Sequence, residues 1–264
     1  MSETAARVAW AIPWIAFAIA IIVIGGELFA AAMILFAILG LSELYTMTAR
    51  ARPFIVVGFG AAAGMIVAAH YGESFHMVLA GVAFFPVMLA FAAQRELRQN
   101  VAYSMSVTVF GIVWIGLPFA HAVLLRDLPD HGAALLVDVL VATFIADTAA
   151  YAGGRMFGHT KMAPRISPNK TMEGLAIGIV AGTLAFWFAG LYQDWLSSGD
   201  AFLMGLVVAL LAPVGDLFES MIKRDLDVKD TGRAFGPHGG VLDRLDAVLF
   251  TVVAGYYLAQ AFVY

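Results

Sequence analysis

The sequence predicts an all-α, polytopic integral membrane protein of about nine transmembrane helices joined by short turns and two long cytoplasmic polar loops. Three observations carry that expectation. The mean hydropathy over 264 residues is +0.88, beyond what an ordinary soluble domain tolerates. Apolar segments of about 18–20 residues recur along the chain, each long enough to cross roughly 30 Å of hydrocarbon. The third observation is where the basic residues fall, which is worked out below once the segments are placed.

The segments run over 8–25, 28–47, 54–70, 75–93, 103–125, 132–152, 173–193, 201–221 and 245–263. The start, MSETAAR, carries one Arg and leads into an apolar run with no small-residue cleavage signature, which suits an uncleaved first span. Gly25-Gly26-Glu27 is so short a break that spans one and two read as a tight hairpin or a pair that does not fully cross. Pro53, then Arg95 and Arg98, then Arg126-Asp127 and Pro129 punctuate the next spans. With cysteine absent, disulfides, thiolate catalysis and Cys-based metal sites are excluded. No Walker loop, dinucleotide fingerprint or Ser–His–Asp arrangement is visible, and nothing points to nucleic acid.

With nine spans, the N-terminus and alternate loops hold 14 of the 15 Lys and Arg residues, and the opposite loops hold only Arg126. Positive charge stays on the cytoplasmic side, so both long polar loops belong there. They must therefore lie at one end of the bundle, a requirement a structure can refute.

The first polar stretch runs from Asp147 to Gly174 and includes Arg155, Lys161, Lys170 and three glycines that would let backbone N–H groups approach an anion. A positively charged cytoplasmic loop accounts for it equally well. Asp147 and Glu173 are harder to dismiss, because a carboxylate at the end of an apolar span is costly unless it has a use. The second stretch, Ser220 to Asp246, packs five basic and five acidic residues into 27 positions. If the eighth span stays helical past residue 213, Asp216, Glu219 or Ser220, and Lys223 share one helix face. Asp243 and Asp246 are likewise three apart at the start of the ninth. Carboxylates at two helix ends suit Mg²⁺, which takes one or two protein carboxylates and leaves the rest to water and substrate phosphates. The bases Lys223, Arg224, Lys229, Arg233 and Arg244 suit phosphate oxygens. Mutual ion pairing would explain the same charges, although not the irregular Gly236-Pro237-His238-Gly239-Gly240 segment. His238 could bind metal, donate to phosphate or cap a helix. Glu27, Glu43 and Asp138 could each face a cavity, a neighbouring helix or an interface.

Ser220-x-Ile222-Lys223-Arg224, Lys229-Asp230, Gly232, and Phe235-Gly236-x-His238-Gly239-Gly240-Val241-x-Asp243-Arg244-Leu245-Asp246 resemble the full C-terminal signature of the phosphatidate cytidylyltransferase (CDP-diacylglycerol synthase) family. Asp147-Thr148, Gly154-Arg155, Phe157-Gly158, Lys161, Ser167-Pro168, Lys170-Thr171 and Glu173-Gly174 resemble it too. Gly236-Pro237 departs from the commoner Pro-Gly order without removing a candidate ligand. The resemblance implies one membrane-embedded domain over 1–264, with N-terminal helices over about 1–100 and a catalytic part over about 103–264. It implies that CTP and phosphatidic acid are converted to CDP-diacylglycerol and pyrophosphate with a divalent cation, at the cytoplasmic side of a bacterial inner membrane, by a homodimer. On that basis Asp216, Asp243 and Asp246 are the expected Mg²⁺ ligands, with room for a second cation. Lys223, Arg224 and Arg244 join them in catalysis, and Asp147, Arg155, Lys161, Lys170, Ser220, Lys229, His238, Gly239 and Gly240 are expected to bind substrate. A transporter using Glu43, Asp147 and Asp216 is the alternative from another class, and it requires charge continuing to the far face. A CDP-alcohol transferase is a further alternative, but its spaced Asp motif is missing.

Overall fold

The computed structural model describes residues 16–94, 100–232 and 239–264. Helix α1 is described over 16–24 and stops at Gly25, where Gly25 and Gly26 both take positive φ. Helix α2, Gly26–Met47, follows directly. The stop is stabilised from a distance. Arg126 donates from Nε to the Ile22 carbonyl (3.1 Å) and from a terminal nitrogen to the Val23 carbonyl (3.4 Å), giving partners to backbone oxygens that a helix end leaves open. Its guanidinium lies where a Cβ on Gly25 would be, so that position has no room for a side chain.

Helix α3, Ile55–Tyr71, has 17 residues, and α4, Ser74–Ala93, begins in a capping box between Glu73 and His76. Helix α5, Val101–Gly111, passes through a π turn at Ile112–Gly116 into α6, Leu117–Arg126. Pro118 follows the turn and lacks the N–H a regular helix needs there, so the backbone widens rather than clash with the carbonyl four residues back. Helix α7, Gly132–Phe157, is longer than its apolar stretch and carries Gly153, Gly154 and Arg155 inside the helix rather than in a loop. The loop that follows contains a two-stranded antiparallel hairpin, β1 (Lys161–Ala163) and β2 (Ser167–Thr171), pairing Lys161 with Thr171. Where the sequence predicts a long polar loop between the sixth and seventh spans, the chain stays helical to Phe157 and then forms this hairpin. Glu173 fastens this hairpin by accepting from the backbone N–H groups of His159 and Thr160, each at 3.1 Å. Helices α8 (Met172–Gly190), α9 (Ser198–Asp225) and α10 (Leu242–Phe262) complete the chain.

Among the described residues, seven helices are long and apolar enough to cross a membrane, with α5, the π turn and α6 forming one of them. The fold is thus all-α and polytopic apart from the hairpin. Helices α7, α8 and α9 pack closely because small residues line their contact: a Cβ on Gly178 would come within 2.7 Å of the Ala146 carbonyl oxygen. Polar contacts also cross between helices, one being Thr143 to Thr251 at 2.9 Å between α7 and α10. The end of α9 reaches the hairpin, with Arg224 Nε donating to the Ile166 carbonyl at 3.3 Å. Both polar stretches therefore meet at one end of the bundle, as the charge segregation requires.

Candidate active site

Helix α9 stays helical through Pro213 to Asp225, so Asp216, Glu219, Ser220 and Lys223 do share a face. That face meets the first turns of α10. Lys223 Nζ lies 2.8 Å from Glu219 Oε2 and 2.8 Å from Asp243 Oδ1, so one ammonium bridges two helices. Asp243 turns its other oxygen toward the preceding loop, where Oδ2 accepts from Thr231 N (2.9 Å), Thr231 Oγ1 (3.0 Å) and Gly240 N (2.8 Å). Gly239 has φ +86°, and a Cβ there would come within 2.7 Å of the same oxygen, so only glycine fits the approach.

A second ion pair links the two polar stretches: Lys170, at the end of β2, pairs with Asp216. Ser220 Oγ stands 3.4 Å from Asp216 Oδ1, a long contact. Asp246, one turn after Asp243 on α10, lies within the electrostatic reach of Asp216, Glu219 and Asp147. Asp147, from α7, in turn feels Asp216, Lys170 and Arg244. Three helices and the hairpin thus bring five carboxylates against three cations, an excess of two negative charges among these groups. Glu219 is 2% exposed, and its Oε1 has no hydrogen-bond partner among the described residues. A buried carboxylate oxygen without a donor is unfavourable on its own.

These observations fit a divalent cation. Hard oxygen donors, a surplus of two negative charges and one orphaned oxygen are what Mg²⁺ would satisfy. No three His, Asp or Glu side chains form a ready-made cage among the described residues. Mg²⁺ does not require one when substrate phosphates supply the remaining positions. Of the three acids expected to hold it, Asp216 and Asp246 share the surplus, whereas Asp243 is turned onto protein donors.

The remaining expectations separate clearly. Asp147, Lys170, Ser220, Lys223, Gly239, Gly240, Asp243, Arg244 and Asp246 are gathered with Asp216 at the helix ends. Arg224 is at the rim, on the hairpin carbonyl. Arg155 contacts the Tyr151 hydroxyl, one turn back on its own helix. Lys161 and Lys229 are exposed, and neither forms an ion pair with the cluster. Arg233 and His238 lie outside the described residues. Glu219 and Thr231 complete the cluster without having been assigned a role from the sequence. Glu219 had a signal, its four-residue spacing to Lys223 on a helix, whereas Thr231 had none.

A family model described as the cytidylyltransferase family matches residues 5–262. The chain is 38% identical over 158 residues to a phosphatidate cytidylyltransferase of Mycobacterium leprae, a match covering 60% of this chain and 50% of that protein. It is 34% identical over 204 residues to one of Helicobacter pylori, covering 74% of this chain and 75% of that one. With one of Bacillus subtilis the identity is 33% over 183 residues, covering 69% and 68%. The chain spans about half the length of the mycobacterial relatives it matches. Since the family model takes in nearly every residue, including all of the acid–base cluster, the chain belongs to the cytidylyltransferase family.

Proposed function

We propose that this chain transfers the cytidylyl group of CTP to phosphatidic acid, giving CDP-diacylglycerol and pyrophosphate. One observation carries the proposal: five carboxylates and a set of cations converge from α7, α9, α10 and the hairpin at one end of a bundle otherwise suited to lipid. That is where a lipid phosphate and a soluble nucleotide can meet. The acyl chains stay in the bilayer, and the phosphate oxygen attacks the α-phosphorus of CTP in line. As the new P–O bond forms, the bond to the β-phosphate oxygen breaks and its electron pair leaves with pyrophosphate. No protein nucleophile is required, which suits a chain without cysteine.

Lys223, Arg224, Lys229 and Arg244 contact phosphate, with Lys170, Arg155 and Lys161 contributing from the hairpin side. Their fixed charges draw two anions together and offset charge developing on the leaving group. Asp216 and Asp246, with the free oxygen of Glu219, hold Mg²⁺, and Asp243 holds Lys223 in position. Bound there, Mg²⁺ supplies Lewis-acid stabilisation of the phosphoryl oxygens.

Nine crossings follow when the apolar segment over 8–25, of which residues 16–24 are described, is counted with the seven long helices and α3, and the cluster then lies at the cytoplasmic face of a bacterial inner membrane. A lone cysteine introduced beside Lys161 reports this orientation: a membrane-impermeant thiol reagent labels it from the cytoplasmic side only. The same likeness to the family implies a homodimer. The reaction is tested with purified protein, CTP, Mg²⁺ and phosphatidic acid, omitting each in turn. Pyrophosphate release should vanish with any omission, and release that persists without the lipid refutes the proposal.

A further inference from the structure

Glu43 belongs to α2, far in sequence from the acid–base cluster, and is 9% exposed. Its carboxylate is directed at the start of α10. Oε1 accepts from the Val241 N–H (2.8 Å), and Oε2 accepts from the Leu242 N–H (3.0 Å). The first N–H groups of a helix have no partner within it, so α10, which lacks a side-chain cap of its own, takes its cap from another helix. The negative charge also meets the positive end of the helix dipole.

The same carboxylate reaches the loop before α10. Thr231 Oγ1 lies 3.0 Å from Glu43 Oε2 and 3.0 Å from Asp243 Oδ2, so a single hydroxyl stands between the two carboxylates. A Cβ on Gly232 would come within 2.5 Å of Glu43 Oε1, and one on Gly240 within 2.5 Å of both carboxylate oxygens. Two points in the loop therefore rest directly on Glu43, and α10 begins immediately after the second. Asp243 and Asp246 project from the turns that Glu43 fixes.

We propose that Glu43 is a positioning residue for cytidylyl transfer: from the N-terminal half of the chain it braces Thr231 and the first turn of α10, and through them sets Asp243 and its partner Lys223. The inference rests on the proposed reaction, and Glu43 itself touches no substrate.

The test begins with wild-type protein, CTP, Mg²⁺ and phosphatidic acid. A wild type that makes no CDP-diacylglycerol overturns the reaction and leaves the brace to the exchange measurement described last. With an active wild type, Glu43→Ala is expected to lower kcat at least tenfold while KM for CTP changes less than threefold. Thr231→Val, which keeps shape but loses the hydroxyl, should lower kcat in the same way, and Thr231→Ser should retain at least half the activity. The double variant Glu43→Ala/Thr231→Val should lose little more than the worse single one, because both act through one link. A purely structural role would lower the thermal midpoint of Glu43→Ala and leave kcat of the folded fraction unchanged. Should Glu43→Ala fail to fold, the Thr231 pair decides. Hydrogen exchange gives a readout independent of turnover: the amides of residues 240–242 should exchange at least tenfold faster in Thr231→Val and Glu43→Ala than in wild type. Normal kcat in Thr231→Val, or unchanged exchange at 240–242, overturns the proposal.

Discussion

Lys223→Met removes the ammonium that bridges α9 and α10 while keeping an unbranched chain of similar length. The bridge has two contacts of 2.8 Å, to Glu219 at 2% side-chain exposure and Asp243 at 9%. At an effective dielectric of about 20, each is worth about 6 kcal/mol of gross Coulomb energy, most of it offset by the cost of taking the charges out of water. The net loss is set by what is left behind. Two nearly buried carboxylates would face each other without a cation, and breaking such a pair costs about 3–5 kcal/mol. The lower end applies, because Lys223 itself is 16% exposed and water can partly replace it. That figure is a loss of folding stability; the rate falls separately, by about 100-fold, the usual cost of removing one fixed group that stabilises charge in the transition state. The assay is CDP-diacylglycerol formation by purified protein, read beside thermal unfolding. Glu219→Gln added to Lys223→Met should recover much of the stability by removing one uncompensated charge, but not the rate, since the phosphate-facing cation is still missing. Activity within threefold of wild type in Lys223→Met, or full recovery in the double variant, would refute this account of the site.

Asp243→Asn should lower turnover at least 100-fold while membrane insertion stays intact, because an amide cannot both hold Lys223 as a charge and accept from the Thr231 and Gly240 N–H groups; near-normal activity counts against its role. Asp216→Asn should raise the Mg²⁺ concentration needed for half-maximal activity at least tenfold, and chelation should abolish wild-type activity reversibly; an unchanged Mg²⁺ titration removes Asp216 from the metal. Arg126→Met should lower stability by about 1–3 kcal/mol through the orphaned Ile22 and Val23 carbonyls, with kcat unaltered, as thermal unfolding and initial rates would report.

The charges that make the site were visible in the sequence because a strongly apolar chain leaves few places to put them. Asp216, Glu219 and Lys223 could be set on one face from spacing alone, and α9 keeps that spacing through Pro213. What the sequence hid was long-range pairing. The partners of Glu43 lie almost 200 residues further on, and no local pattern marks Val241 or Thr231 as its acceptors' counterparts. Gly153 and Gly154 fall in a polar stretch that the sequence presents as a loop, yet they stay within α7, where the side chain of Ile177 lies against Gly153 and that of Thr171 against Gly154. The β2 strand was equally hidden: Ser167-Pro168-Asn169 has poor strand propensity, and its pairing with β1 and the backbone grip of Glu173 outweigh that preference.

Arg126 stood out as the single basic residue on the sparsely charged side, and its ties to Ile22 and Val23 set a timetable for assembly. The carbonyls at the end of α1 are made early, yet their partner is synthesised about a hundred residues later. Until α6 has entered the bundle, the first helix lacks the contact that fixes its end. A chain cut before residue 126 is therefore expected to leave the Ile22 and Val23 carbonyls without these donors.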